Sequence, residues 1–165
     1  MDHKDKTYYE SVLNYLCIGG HIDGIRFGSI PQLLISNSEE NSTTIRGQIY
    51  LNLASKWCVY KTRPLFYPET ERDITSMTED EEILELCKLR LKTISNISLS
   101  DNKPNLIIEL DDESIFYMNG YDDQFESWQL GVAFNTPEEY WDVIALPGGE
   151  ITAFIPEQFM KNFER

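Results

Sequence analysis

The side chains that most often carry chemistry are sparse in this chain and badly spaced for it. The only histidines are His3 and His21. His3 falls in a polar N-terminal tail whose composition predicts disorder, which leaves one histidine for any ordered site. The cysteines, Cys17, Cys58 and Cys87, lie at least 29 residues apart, whereas zinc and redox motifs take two ligands from a single turn. Their apolar neighbours, Leu16, Trp57 and Leu86 among them, predict three small buried hydrophobes instead. No serine sits in a nucleophile-elbow motif, and Gly19-Gly20 follows a helical pattern where a phosphate loop follows a strand. Carboxylates are plentiful, at 28 Asp and Glu, so any one pair chosen as a glycosidase-like acid and base is uninformative. The expectation is a binding protein rather than an enzyme, with no catalytic residue, cofactor or metal ligand assigned.

Charge is the stronger signal. In 165 residues the 28 acidic side chains outnumber 14 Lys and Arg, giving a net charge of −14. Such a field repels nucleic acid and anionic membranes, and both are excluded as partners. The asymmetry is sharper still in the second half. Between Lys103 and Lys161 there is no Lys, Arg or His, while twelve carboxylates occur. The stretch holds Asp111, Asp112, Glu113, Asp122, Asp123, Glu126, Glu138 and Glu139, with Tyr121 and Tyr140 interspersed. Aromatics within an acidic field are the composition of a protein-binding face, and these ten residues are the predicted partner contacts.

The elements that must present them follow from periodicity. Tyr9, Val12, Leu13 and Leu16 give one apolar stripe of a helix within Lys6 to Cys17. Thr78-Glu79-Asp80-Glu81 is a capping box opening a second helix over 78–91, whose predicted buried stripe is Ile83, Leu84, Cys87 and Leu91. The rest alternates at period two in short runs broken by turn residues. These runs are 22–27, 33–35, 49–53, 56–61, 94–99, 106–110, 115–118 and 125–134, and a C-terminal hairpin spans 140–155 around Pro147-Gly148-Gly149. Asn119-Gly120 reads as a turn. With 41% hydrophobic residues and no run of about 18 apolar ones, the expectation is one cytoplasmic α+β domain over 1–165, mainly antiparallel, monomeric or weakly dimeric.

Two stretches, 20–60 and 92–131, correspond. Ile22, Ile25 and Phe27 match Ile94, Ile97 and Leu99 at an offset of 72; Leu33 to Ile35 match Leu106 to Ile108 at 73; and Trp57 matches Trp128 at 71. This predicts two repeated four-stranded units sharing one core, with both tryptophans inside it.

On these residues a resemblance can be placed. The first copy has Gly47 to Trp57 followed by Phe66-Tyr67-Pro68-Glu69. The second has Leu106 to Asp112, then Tyr121 to Leu130, then Pro147-Gly148-Gly149-Glu150. Over about residues 20–155 the chain resembles a family of small uncharacterised bacterial proteins with a duplicated strand-Trp unit, taken to be immunity proteins of toxin systems. The loop Ser36 to Thr44 and Cys58 depart from that pattern. The resemblance implies a cognate protein toxin as partner, and the acidic face makes a basic nuclease the fitting target. The alternatives are an adaptor or structural interaction module without a toxin and, third, a hydrolase with an unrecognised carboxylate pair.

Overall fold

The computed structural model describes residues 3–134, 136 and 139–163. It is an α+β protein whose strands form two antiparallel sheets. Among the described residues the α-helices are α1 (His3–Cys17) and α2 (Glu79–Lys88). The strands are β1 (Ile22–Arg26), β2 (Gln32–Ile35), β3 (Ile49–Leu53), β4 (Trp57–Tyr60), β5 (Ile94–Leu99), β6 (Leu106–Leu110), β7 (Ile115–Met118), β8 (Trp128–Val132), β9 (Asp142–Leu146) and β10 (Glu150–Phe154). The larger sheet runs β1-β2-β3-β8-β9-β10 and the smaller β4-β7-β6-β5.

The two four-stranded runs do not each build a sheet of their own. Each makes a three-stranded meander and then sends its fourth strand to the other sheet. Thus β8 pairs with β3 and β4 pairs with β7. Trp128, opening β8, lies opposite Leu53 at the end of β3; Trp57, opening β4, lies opposite Met118 at the end of β7. Matching bulges follow Ile22 in β1 and Ile94 in β5. Where β1 and β5 approach, the bonds reciprocate: Ile22 N–H donates to Lys92 O at 3.0 Å and Ile94 N–H to Gly20 O at 2.8 Å. Gly19 N–H donates to Ile94 O at 2.9 Å and Leu91 N–H to Ile22 O at 2.8 Å. Gly19 and Leu91, which follow the two helices, both adopt left-handed φ, at 80° and 67°. In this register Leu33 answers to Ile108, because Leu33 faces Ile25 and Ile108 faces Ile97. That is two residues beyond the sequence alignment, a slip invisible to a period of two because it keeps every side chain on its face.

The inner faces of both sheets share one core with the buried stripe of α1, Tyr9, Val12, Leu13 and Leu16. Here α1 lies against β5 and β9, and α2 against β1. Both tryptophans are buried; Trp57 stacks on Phe116 with ring centroids 5.5 Å apart. The outer face of the smaller sheet is covered by the segment 61–77. Tyr67 stacks on Tyr117 at 5.3 Å, and the Tyr117 hydroxyl donates to Pro68 O at 3.0 Å.

Several expectations need correcting. Helix α1 begins at His3, so the predicted disordered tail is largely helical. Helix α2 stops at Lys88 and is turned by one position: Leu86 and the following Leu89 are buried, while Leu84, Cys87 and Leu91 are exposed. A stripe at 84, 87, 91 and one at 83, 86, 89 or 90 are equally helical, and contact with β1 selects the second. Of the cysteines only Cys17 is buried. Asn119-Gly120 is no hairpin turn; the chain there leaves β7 and crosses to the other sheet.

Candidate functional site

The outer face of the larger sheet carries a row of polar side chains that register brings side by side. Arg26 faces Gln32, Gln32 faces Asn52, and Asn52 faces Gln129. Asp142 lies opposite Gly131, diagonal to Gln129. The row is hydrogen-bonded from end to end. Arg26 Nη1 donates to Gln32 Oε1 (3.2 Å), Gln32 Nε2 to Asn52 Oδ1 (2.7 Å), Asn52 Nδ2 to Gln129 Oε1 (2.7 Å), and Gln129 Nε2 to Asp142 Oδ2. Guanidinium only donates and carboxylate only accepts, so the two ends dictate the orientation of all three amides between them. Aligned dipoles in such a chain reinforce one another.

Asp142 terminates the row fully buried. Its Oδ2 also accepts from the Tyr140 hydroxyl at 2.9 Å, while Oδ1 has no hydrogen-bond partner among the described residues. Gly131 makes room for it, since a Cβ there would lie 2.9 Å from Oδ1. Burial raises the Asp142 carboxyl above its ordinary range, opposed by the bonds from Gln129 and Tyr140. Burial, then the bond to Asp142, push the Tyr140 hydroxyl up to about 12. A raised folded-state pKa means that the folded chain binds more protons than the unfolded one between the two values. Stability tied to Asp142 is therefore full at low pH and lost as pH rises through the folded value. Asp142→Asn keeps an acceptor for Tyr140 and Gln129 and removes that loss. The variant melts higher than wild type at neutral pH, and the advantage vanishes on descending to about pH 4, the ordinary carboxylate range. Melting curves across that range check it; a difference independent of pH contradicts the assignment.

A cleft of about 630 Å³ opens on the same face where β3 leaves the sheet and β8 enters it. Asn52, Gln129 and Ser127 floor it, and Ile30, Phe125 and Pro147 form apolar lips. Glu71, Asp122 and Glu126 stand around it, and among the described residues no basic one lines it. The Asp122 carboxylate braces its own loop, accepting from the backbone N–H of Gln124 (2.7 Å) and Phe125 (2.8 Å) through Oδ1. Those bonds hold its carboxyl below the usual range.

Known protein families, curated proteins and solved structures offer no match to this chain.

The ten predicted contacts fall in three places. Asp111, Asp112 and Glu113 form the β6–β7 turn, with Glu113 in the left-handed conformation at φ 68°. Asp112 is committed there: it pairs with Lys92 at 2.8 Å and accepts from Ser114, and these bonds hold its carboxyl down at about 2. Tyr121, Asp122, Asp123 and Glu126 lie beyond the opposite end of β7, on the crossover between sheets. Tyr121 donates to Asp123 Oδ1 at 2.7 Å and carries Lys103 Nζ 5.1 Å from its ring centroid. Glu139 and Tyr140 precede β9, and Glu138 lies outside the described residues. Of the nine predicted contacts among the described residues, only Asp122 and Glu126 line the cleft. Sequence reasoning passed over Glu71, Asn52, Ser127 and Gln129, because they come from three distant segments. Outward polar residues at alternate positions of β3 and β8 were the one available signal. Among the described residues no group of three His, Cys, Asp or Glu could hold a metal ion, and no helix is long and apolar enough to cross a membrane.

Proposed function

We propose that this chain is a cytoplasmic immunity protein that neutralises a basic protein toxin, such as a nuclease, by occluding it. The observation that carries the reading is the cleft at the sheet crossover. It joins three carboxylates, with no Lys or Arg among its described lining residues, to exposed apolar lips, a combination suited to a cationic protein surface. In such a complex the carboxylates engage the Lys and Arg side chains with which a nuclease holds phosphate. The same reading treats α1–β4 and α2–β8 as copies of one duplicated unit, supported by their matched pairing. A second reading, an adaptor module, draws on Leu65 and Phe66. These neighbours on the 61–77 segment are 94% and 87% exposed and suit a partner's apolar pocket.

Steered association is the test. Asp111, Asp123 and Glu126 are exposed and do not cap their own turns, unlike Asp112 and Asp122. Changing these three to Lys leaves the melting temperature near wild type, since exposed charges contribute little to stability. Association with the basic protein co-purified from the native host, followed by stopped flow, slows by about tenfold or more at low salt. The difference shrinks once the Debye length falls below about 8 Å. A rate unchanged in the folded variant moves the binding face elsewhere.

A further inference from the structure

We propose that the cleft at the sheet crossover is a receptor for an arginine side chain presented by the basic partner. The inference rests on the binding reading above and names the chemistry of its anchor. Two independent observations point to a ligand that donates hydrogen bonds. Glu71, Asp122 and Glu126 line the cleft with no cation among its described walls, and among the described residues none of the three is ion-paired, although Glu71 Oε1 accepts from the Lys56 backbone N–H at 3.2 Å. Lys56, beside the cleft residue Ser55, directs its ammonium to Ser76 Oγ at 3.0 Å. Separately, the Ser127 hydroxyl is fully buried and has no hydrogen-bond partner among the described residues. Trp128 faces the core, so the alternation of the strand turns Ser127 to the side of Gln129, towards the cleft floor. A buried hydroxyl left unpaired is costly, and a donor arriving from the ligand removes that cost.

Guanidinium fits this lining better than ammonium. It is planar, weakly hydrated and carries five donors in a fixed fork, so one group can bond a carboxylate and a hydroxyl oxygen at once. It also stacks on aromatic rings, and Phe125 offers one at the lip, 70% exposed. The floor is already ordered, because Asn52 and Gln129 are fixed by the amide row. Little side-chain freedom is lost there when the ligand enters.

The experiment is an NMR titration of the full-length, nitrogen-15-labelled protein with acetyl-Gly-Arg-Gly-amide and its lysine counterpart. The arginine peptide shifts the side-chain amides of Asn52 and Gln129 and the backbone of 122–129, and binds about fivefold or more tighter than the lysine peptide. The double variant Asp122→Asn, Glu126→Gln weakens it about tenfold. The Asp122→Asn change retains the side-chain oxygen that caps Gln124 and Phe125, so the loop persists, which its backbone resonances report. Equal binding of the two peptides, shifts centred on the 111–113 turn, or affinity untouched by the double variant each overturn the assignment. Its failure is distinct from that of the functional reading. A co-purified toxin held equally well by the double variant overturns the arginine receptor and leaves the inhibitor standing. Selective arginine binding in a chain that protects against no toxin upholds the receptor and removes the inhibitor.

Discussion

Replacing Trp128 with alanine lowers the free energy of unfolding by about 3–5 kcal/mol, a large part of what a domain of this size possesses. The indole is fully buried in the shared core, and its Nε1–H donates to Pro104 O at 2.7 Å. Truncation thus opens a cavity and strands a carbonyl. Trp128→Phe separates the two contributions: it keeps most of the volume and loses the bond, at about 1–3 kcal/mol. Trp57→Ala costs a similar amount to Trp128→Ala through its packing on Phe116. Urea unfolding curves measure all three, and near-wild-type midpoints for both alanine variants would place the tryptophans outside the core. Because Trp128 also opens the strand behind the cleft, its loss loosens the 122–127 loop as well.

Gly120→Ala destabilises by about 3 kcal/mol, the upper range for forcing an atom into a packed interior, and lowers the melting temperature by about 6–12 °C. A Cβ at Gly120 would sit 2.0 Å from Pro104 O, the carbonyl that Trp128 grips, and 2.7 Å from Asn105 N. The obstruction is backbone, so no side-chain rotation relieves it. Gly120 N–H also donates to Asn105 Oδ1 at 2.8 Å, which ties the crossover to that loop. Gly24→Ala is the matched control, because a Cβ there meets nothing within 4 Å, and it changes stability by less than about 0.5 kcal/mol. Calorimetric scans of the two variants give the comparison; equal melting temperatures contradict the close approach at Gly120.

Sequence by itself determined the elements of this protein. The stripe of α1, the capping box of α2 and the period-two runs each state a local geometry that needs no distant partner. Thr78 and Glu81 do exchange the bonds of a capping box, the Thr78 N–H reaching Glu81 Oε2 at 2.8 Å. The burial of Trp57 and Trp128 was legible in the same way, since large aromatics on strands with apolar alternation have one favourable place to go. The acidic bias of the second half was readable too, although not its distribution over three separate places.

Tertiary structure alone decided what depends on which strand lies beside which. Hydrophobic alternation specifies a face and not a neighbour, so nothing in 49–60 or 115–132 announces that β4 and β8 exchange sheets. The amide row from Arg26 to Asp142 exists only through that pairing, because Asn52 and Gln129 are 77 residues apart and meet by register. The cleft has the same origin: its floor comes from β3 and β8, and its lips come from loops that the crossover brings over them. Gly120 makes the point in one residue. Beside Asn119 it carries the local signal of a turn, yet its missing side chain serves a contact with Pro104, 16 positions earlier in the chain. Local chemistry writes propensities along the chain, while long-range pairing chooses which of them become a site.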